Sequence, residues 1–220
     1  LDAAAAEFEA VVSMREPDVI YHLGLLPPGE VAEVTAASSL ASLLSVLEAA
    51  RRRGDVKVVV ALSGVALYGE VAAKDQPVKE MASPNPAGVE GAVAKSVIDL
   101  LTAYRETHAV EFTALAMGSV YGPRQRPEGG VVAAFVQAVR EDLTPMLHGD
   151  GRQTRDFVYI DDAVDALVRA AQKGNGLVIN IGTGVGTSIR TVWTLVDGGR
   201  GRPAGHAPRR SGDVTRFALT

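Results

Sequence analysis

The sequence contains no cysteine in its 220 residues, so disulfides and thiolate metal sites are excluded and nothing indicates an oxidising compartment. No apolar run reaches the roughly 18 residues that a membrane span requires. The formal net charge is −4, which argues against the basic footprint of a nucleic-acid-binding protein. No basic segment precedes an apolar core in the manner of a secretion signal. We therefore expect a cytoplasmic protein without a metal site that binds small molecules rather than nucleic acid or membranes.

Apolar residues, by contrast, make up 47% of the chain, enough for one sizeable core and a small appended lobe. Residues 56–62, VKVVVAL, form a β-branched run typical of a strand buried on both faces of a parallel sheet. Further strands are predicted at 19–23, 112–117, 156–160 and 177–181, with one more within 209–220. Helices are predicted at 3–14, 40–53, 89–108, 132–139, 161–171 and 189–196. A long loop is predicted at 64–86. This alternation predicts an α/β fold with a parallel sheet.

Ligands of such sheets bind at the carboxyl ends of the strands. The predicted ends are residues 23–24, 62–64, 117–121 and 181–183. The pattern therefore places a site there and says nothing about its chemistry.

The segment 149–162, GDGRQTRDFVYIDD, joins a glycine-bracketed loop to a strand and then to a helix. Asp161 and Asp162 are predicted to begin that helix, where a carboxylate can accept the free N–H groups of the first turn. Arg155 lies between loop and strand, and its guanidinium suits a bidentate grip on phosphate. A surface ion pair is an equally open interpretation of Arg155 from the sequence.

Several segments in chain order resemble the extended short-chain dehydrogenase/reductase family, in its branch of sugar-nucleotide epimerases and dehydratases. They are HLG at 22–24, LEAARRRGDVKVVVALSGVALYGE at 47–70, SVYGPRQ at 119–125, GDGRQTRDFVYIDDAVDA at 149–166, NIGTG at 180–184 and PRRSGD at 208–213. The resemblance covers nearly the whole chain. It implies a Rossmann-type sheet that binds NAD(H) or NADP(H) and a small C-terminal lobe that binds substrate. The implied boundaries are 1–123 with 176–183 for the first part, and 124–175 with 184–220 for the second.

The family begins with a strand and a GxxGxxG turn that holds the cofactor pyrophosphate at a helix N-terminus. His22 and Leu23 resemble the end of the family's fourth strand, so the first three strands are absent from the sequence. We expect from this that the natural protein is longer. The resemblance also implies a homodimer formed through 40–53 and 89–108.

The family's chemistry uses a Ser or Thr, a Tyr that acts as acid and base, and a Lys four residues after the Tyr. Here the Ser/Thr position falls on Gly64, beside Ser63, the Tyr position on Glu90 and the Lys position on Ala94. Lys95 comes one residue late, about 100° around a helix. Glu90 and Ser63 are therefore the candidate catalytic residues, although a solvated helix residue is the simpler interpretation of Glu90.

The resemblance further implies which residues contact the ligands. The cofactor contacts are Leu23, Gly24, Leu62, Ser63, Met117, Ser119 and Val120, and the substrate contacts are Gly64, Ser119, Tyr121, His148, Arg155, Arg210 and Asp213. In this assignment Arg155 and Arg210 grip a diphosphate, and His148 lies against the nucleobase. A locally hydrogen-bonded histidine and a packing role for Tyr121 remain open alternatives.

Three functions fit these residues. Because the proton-handling set is changed, we expect an NAD(P)H-dependent ketoreductase with an atypical site, similar to family members that reduce carbonyls of aromatic polyketides and other natural products in antibiotic pathways. The first alternative is a sugar-nucleotide epimerase or dehydratase, which the two arginines and Asp213 favour. The second is a non-catalytic homologue that binds a nucleotide.

Overall fold

The structure, a computed structural model, describes residues 7–24, 32–86, 88–209 and 213–220, with the backbone alone for 32–35. The helices are α1 Phe8–Arg15, α2 Ala32–Arg53, α3 Gly64–Tyr68, α4 Gly88–His108, α5 Val131–Arg140, α6 Ile160–Ala170 and α7 Ile189–Val196. The strands are β1 Val19–His22, β2 Lys57–Ser63, β3 Phe112–Met117, β4 Ser119–Tyr121, β5 Met146–His148, β6 Thr154–Tyr159, β7 Leu177–Ile181, β8 Gly186–Ser188 and β9 Gly205–Ala207. Short 3₁₀ turns lie at Ala73–Asp75 and Pro127–Gly129.

Four parallel strands form the main sheet in the spatial order β1, β2, β3, β7. The side chains of Val58, Val59 and Val60 in β2 have no exposed area, so this strand is covered on both faces. Such a strand needs layers of helices above and below it, which is the α/β arrangement. The prediction of a Rossmann-type α/β fold is confirmed.

The two faces of the sheet carry different layers. Helices α2 and α4 cover one face, where Leu43 and Leu101 pack in one cluster with Val58 and Val60. Helix α6 covers the other face, where Ala163 packs in a second cluster with the intervening residue Val59. Alternate residues of β2 thus serve opposite layers, as the two-residue period of a strand requires. Full burial of each leucine is worth about 1.5–3 kcal/mol.

Two smaller sheets follow the main one. Strands β4, β6 and β8 form a three-stranded sheet, and β5 pairs in parallel with β9. Helices α5 and α7 close a third apolar cluster beside them, in which the rings of Phe135 and Trp193 meet edge to face at 5.4 Å. These elements surround the cavity described below.

The structure differs from the sequence prediction at several boundaries. The predicted loop 64–86 contains α3, whose first turn is capped by the Ser63 hydroxyl accepting from Ala66 N at 3.3 Å. Helix α6 begins at Ile160 without a side-chain cap, so the aspartates that follow do not cap it as predicted. The predicted C-terminal strand is reduced, in residues 213–220, to a single bridge between Leu219 and Val78. Residues 3–6 of the predicted first helix lie outside the described part.

One polar cluster joins the two long helices on the first face. Glu48 of α2 accepts hydrogen bonds from Arg51 Nη2 and from the Tyr104 hydroxyl of α4, both at 2.8 Å. The hydrogen bond from Arg51, followed by that from Tyr104, lowers the pKa of Glu48 from 4.5 to about 2. The ionised carboxylate therefore links α2 to α4.

This pKa predicts a pH dependence of stability. A depressed carboxyl pKa stabilises the fold above pH 4.5, and the contribution is lost as the pH falls from there through about 2. We expect Glu48→Gln to reduce the difference in urea midpoint between pH 7 and pH 2.5. Glu106→Gln, which changes an exposed carboxyl of α4, is the control and should leave that difference as in the parent chain. An unchanged difference in Glu48→Gln would contradict the assignment.

Candidate functional site

The carboxyl ends of the parallel strands meet at one edge of the main sheet. β2 ends at Ser63 and β3 at Met117, and these two residues are directly paired. Gly118 follows, donating from its N–H to Ile181 O at 2.8 Å. A Cβ at Gly118 would lie 2.7 Å from Asp156 O, so glycine is needed where β3 passes into β4. This edge contains the predicted cofactor contacts of β2, β3 and β4.

A cavity of about 510 Å³ opens beside that edge. Four predicted substrate contacts line it: Ser119, His148, Arg155 and Asp213. The remaining lining residues are Pro127, Glu128, Gly130, Val131, Ala134, Phe135, Pro145, Met146, Gln153 and Ile189. We name it the Arg155 cavity. Arg210, the other predicted diphosphate contact, lies outside the described residues.

Arg155 is held from three sides at the wall of this cavity. Its Nη1 donates to Thr154 O at 2.8 Å and to Val214 O at 2.7 Å, and its Nη2 donates to the Asp213 carboxylate. Only 14% of the arginine side chain and 15% of the aspartate side chain are exposed. A guanidinium has five N–H donors, so two of them remain for a ligand. The pair fixes a cation at the cavity and ties residues 213–214 to β6.

His148 and Gln153 form the end of the cavity next to β5. Gln153 Nε2 donates to His148 O at 2.8 Å, and His148 Nδ1 lies 3.3 Å from Pro208 O. His148 thus has a hydrogen-bond partner 60 positions away in the sequence and also lines the cavity, and its contact with a nucleobase stays a prediction.

A smaller cavity of about 360 Å³ lies between the strand ends and the first turn of α5. Ser63, Ser119, Val120 and Tyr121 line it, and Ser119, Gly130 and Val131 also line the Arg155 cavity. Serine and tyrosine hydroxyl groups are therefore available beside the space where an anionic ligand would bind.

Gly64 is closely enclosed at the same edge. A Cβ there would lie 2.9 Å from Leu219 Cδ1 and 3.0 Å from Met117 O. A serine or threonine at this position would require the Leu219 side chain to move and the contact with Met117 O to lengthen by a few tenths of an ångström. The position at which the resemblance expects a hydroxyl group is thus filled by the C-terminal segment.

The first turns of α4 contain the positions where the resemblance expects Tyr and Lys. Glu90 is exposed and lines none of the described cavities, and Ala94 is buried with 4% exposure. Lys95 Nζ is 2.6 Å from Asp99 Oδ2, an (i, i+4) pair along the helix. No tyrosine–lysine pair stands at these positions, and the catalytic assignment of Glu90 and Ser63 stays a prediction.

Asp156 of β6, which the sequence reasoning did not select, is a buried acid that binds several backbone N–H groups. Its buried carboxylate accepts from the backbone N–H groups of Thr183, Gly184 and Leu219 and from the Thr183 hydroxyl, at 2.6–3.0 Å. It therefore joins β6, the loop after β7 and the C-terminal segment. The available signal was a charged residue at an inward position of an apolar strand.

Tyr68 and Asn180 form a second polar junction. The Tyr68 hydroxyl donates to Asn180 Oδ1 at 2.9 Å, and Asn180 Nδ2 donates to Val78 O and Thr220 O. Burial raises the pKa of Tyr68, and the nearby Glu80 carboxylate raises it further. The hydroxyl therefore stays protonated and acts as a structural donor.

We expect Tyr68→Phe to lower the free energy of unfolding by about 1–2 kcal/mol, because Asn180 Oδ1 loses its buried donor. Urea unfolding monitored by circular dichroism measures this change. Tyr21→Phe, at a side chain with 41% exposure, is the matched control and should change stability by less than about 0.5 kcal/mol. Equal effects of the two substitutions would show that the Tyr68 hydrogen bond contributes nothing.

The strand ends fit one end of a nicotinamide cofactor. Leu23 is 52% exposed, and a Cβ at Gly24 would meet nothing within 4 Å, so the end of β1 is open. Leu62 and Met117, at the ends of β2 and β3, are buried in the clusters on opposite faces of the sheet, so Leu23 supplies the exposed apolar surface here, which suits a flat ring. In the described part the glycines at 182, 184 and 186 lead into strand β8 and not into a helix, so they do not form a pyrophosphate cradle. The residues present thus fit the nicotinamide end alone.

Among the described residues, no group of three His, Asp or Glu side chains is placed to hold a metal ion. None of the described helices is long and apolar enough to cross a membrane.

Residues 2–182 match the family described as the NAD dependent epimerase/dehydratase family. A UDP-glucose 4-epimerase of Mycolicibacterium smegmatis is 37% identical over 234 residues, which cover 99% of this chain and 72% of that protein. A relative in Methanocaldococcus jannaschii is 35% identical over 181 residues, which cover 80% of this chain and 58% of the relative. The chain therefore spans only part of the length of these relatives.

Solved structures agree with the sequence relatives. The UDP-glucose 4-epimerase of Thermotoga maritima, solved with UDP-glucose, superimposes with a TM-score of 0.91 at 30% identity, covering 100% of this chain and 74% of that one. The UDP-glucose 4-epimerase of Thermus thermophilus, solved with NAD, gives a TM-score of 0.87 at 30% identity, covering 100% of this chain and 75% of that one.

These comparisons overturn the main functional prediction. The expected ketoreductase of aromatic polyketides is wrong, since the two UDP-glucose 4-epimerases and the other relatives favour a sugar-nucleotide epimerase or dehydratase, and antibiotic biosynthesis has no support among them. The inference failed because changed proton-handling residues do not identify a substrate. The nicotinamide cofactor expected from the resemblance is confirmed through the family, whose description specifies NAD. With a match over most of its length and a fold in common with its solved relatives, the chain belongs to the NAD dependent epimerase/dehydratase family.

Proposed function

We propose that this chain takes part in the epimerisation or dehydration of a nucleoside-diphosphate sugar, with NAD as cofactor. The observation that carries the proposal is the Arg155 cavity, in which a held guanidinium lies beside the strand ends. Relatives that act on UDP-glucose support this substrate class. NAD bound to a neighbouring structure supports the cofactor.

The Arg155 cavity suits the diphosphate of such a ligand. The remaining N–H donors of Arg155 can engage phosphate oxygens, while its contacts to Asp213 and Val214 keep the planar group in place. The nucleobase would then lie toward His148, and the sugar toward Ser119 and the smaller cavity.

The chemical step must run without the tyrosine and lysine of the family resemblance. NAD supplies the hydride acceptor when it is bound. The hydroxyl groups that line the smaller cavity are those of Ser63, Ser119 and Tyr121, which can hydrogen-bond a sugar hydroxyl. Loss of a positioned acid or base costs a factor of about 10²–10⁴ in rate. We therefore expect slow turnover.

We also propose a two-part organisation, in which 1–123 and 176–183 hold the cofactor and 124–175 and 184–220 hold the substrate. A homodimer through α2 and α4 belongs to the same proposal. Its support is that these two long helices pack side by side on one face of the sheet, with Leu44 of α2 39% exposed. Analytical ultracentrifugation tests the dimer by comparing the sedimentation coefficients of the parent chain and of Leu44→Glu, and we expect the variant to sediment as a monomer.

The activity is tested by incubating the protein with NAD and with UDP-glucose, UDP-galactose or dTDP-glucose. We expect ¹H NMR of the anomeric protons to show slow formation of an epimer or a 4-keto sugar. Binding of these nucleotides without any product over a day would support the non-catalytic homologue instead. If titration showed no binding of UDP or dTDP, the proposed substrate class would be wrong.

A further inference from the structure

A third cavity, of about 770 Å³, lies on the opposite face of α5 from the Arg155 cavity. Residues 131, 134 and 135 of α5 line the Arg155 cavity, whereas 132, 133, 136, 137 and 140 line the third one. Residues 121–125, Pro127, Glu141 and Tyr159 form its other walls. We name it the Tyr159 cavity. It shares Pro127 with the Arg155 cavity and Tyr121, Gln125 and Val132 with the smaller cavity, whereas Arg124 and Arg140 line neither of those two.

Two arginines give this cavity a positive character. Arg124 and Arg140 both line it, and in the part of the chain that the structure describes neither guanidinium has an ion pair or a hydrogen bond. Glu141 is the one carboxylate in the described lining, and its Oε1 accepts from Gln137 Nε2 at 3.0 Å. The lining thus carries two positive charges and one negative charge, so the cavity attracts an anion.

Flat and apolar side chains form the rest of the wall. The rings of Tyr121 and Tyr159 meet at 5.6 Å with an angle of 64° between their planes. Tyr159 is 38% exposed and Val136 is 41% exposed, so both present apolar surface to the cavity. Aromatic faces of this kind accept a planar ring system by stacking or edge contacts.

The arrangement is fixed by close packing. A Cβ at Gly122 would lie 2.4 Å from Ile160 Cγ2, so glycine lets the turn press against the start of α6. Gln125 Nε2 donates to Val120 O at 3.0 Å and to Gly129 O at 3.2 Å, which pins the loop beyond the turn. Arg124 is held at φ 67°, a left-handed conformation that an arginine adopts rarely and that tertiary contacts must maintain. The cavity is therefore built before any ligand arrives.

We propose that the Tyr159 cavity binds a planar aromatic anion, a ring system that carries a carboxylate, sulfonate or phosphate group. The ring lies against Tyr159 and Val136, and the anionic group lies between Arg124 and Arg140. The site lies across α5 from the Arg155 cavity and shares only Pro127 with its lining, so we expect it to accept its ligand while a nucleotide is bound.

The test uses naphthalene-2-sulfonate as the probe, titrated into the protein in the presence of saturating UDP. We expect saturable binding, with inorganic sulfate and neutral 2-naphthalenemethanol each at least tenfold weaker. The double variant R124Q/R140Q should weaken probe binding at least tenfold. R15Q/R126Q removes the same charge at exposed arginines outside the cavity and should change it less than twofold.

A second pair of variants guards against loss of folding. Val136→Asp and Val136→Lys place opposite charges at the same exposed position, and Asp should weaken binding at least tenfold relative to Lys. The proposal is overturned if the probe does not bind the folded parent chain, if UDP displaces it, or if R124Q/R140Q and R15Q/R126Q behave alike.

Discussion

Replacing Asp156 with asparagine is expected to lower the free energy of unfolding by about 2–4 kcal/mol. The Asp156 carboxylate accepts hydrogen bonds from three backbone N–H groups and one hydroxyl group, and Asp156 has no exposed area. In asparagine an NH₂ group replaces one of the two carboxylate oxygens. This group donates hydrogen bonds, and it would face the N–H donors that the carboxylate had accepted from. Because water does not reach the site, these groups remain unsatisfied.

Urea unfolding measures the loss, and two variants calibrate it. Asp165→Asn breaks an exposed pair with Arg169, 2.7 Å long, and should cost less than about 0.5 kcal/mol. Thr183→Val removes one hydroxyl donor to Asp156 and the acceptor of Val185 N–H, but it leaves the backbone donors to Asp156 in place, so a loss of about 1 kcal/mol is expected. A stability of Asp156→Asn equal to that of Asp165→Asn would refute the central role given to this carboxylate.

The second large effect concerns ligand binding. Arg155→Ala should weaken the binding of UDP about 100-fold, because charge-assisted hydrogen bonds to phosphate are each worth about 1.5–3 kcal/mol. Arg155→Lys keeps the charge but loses the planar fork, and a weakening of about tenfold is expected. Isothermal titration calorimetry at fixed ionic strength gives both values.

Arg152→Ala is the matched control for this series. Arg152 lies three residues away, with 80% of its side chain exposed, and lines none of the described cavities. Its removal should change UDP affinity by less than threefold. Since Arg155 also holds residues 213–214, the unfolding midpoint of each variant must be measured beside its affinity. Undiminished UDP binding by a folded Arg155→Ala protein would exclude the diphosphate assignment.

Much of the fold follows from local patterns in the sequence. The β-branched run of β2 predicted a strand covered on both faces, and the buried Val58, Val59 and Val60 agree. Helix α3 escaped prediction because its stability depends on the Ser63 cap and on packing at Gly64, neither of which has a periodic signature. The alternation of apolar residues predicts which face of an element is buried. Whether a short helix forms, and which residue caps it, depends on tertiary contacts that this alternation does not contain.

The site was harder to predict than the fold. The structure brings Ser119, His148, Arg155 and Asp213 around one cavity, although they are separated by up to about a hundred positions in sequence. Motif spacing could suggest these residues, whereas the partners of Asp156 come from two distant loops and leave no local pattern. The reaction was mispredicted because the changed residues Glu90 and Ala94 say what is missing from a mechanism and not which molecule is bound.

Arg155 and Asp156 are neighbours on β6, and their side chains serve opposite sides of that strand. Arg155 places a positive charge at a cavity that suits an anion. Asp156 places a negative charge among backbone N–H groups that donate to it. A slip of β6 by one residue against β4 and β8 would exchange them, because side chains alternate along a strand. The misaligned form would bury the Arg155 guanidinium among N–H donors and would turn the Asp156 carboxylate toward the proposed phosphate position. Both placements are unfavourable, so the opposite charges of these adjacent residues favour the correct alignment of β6.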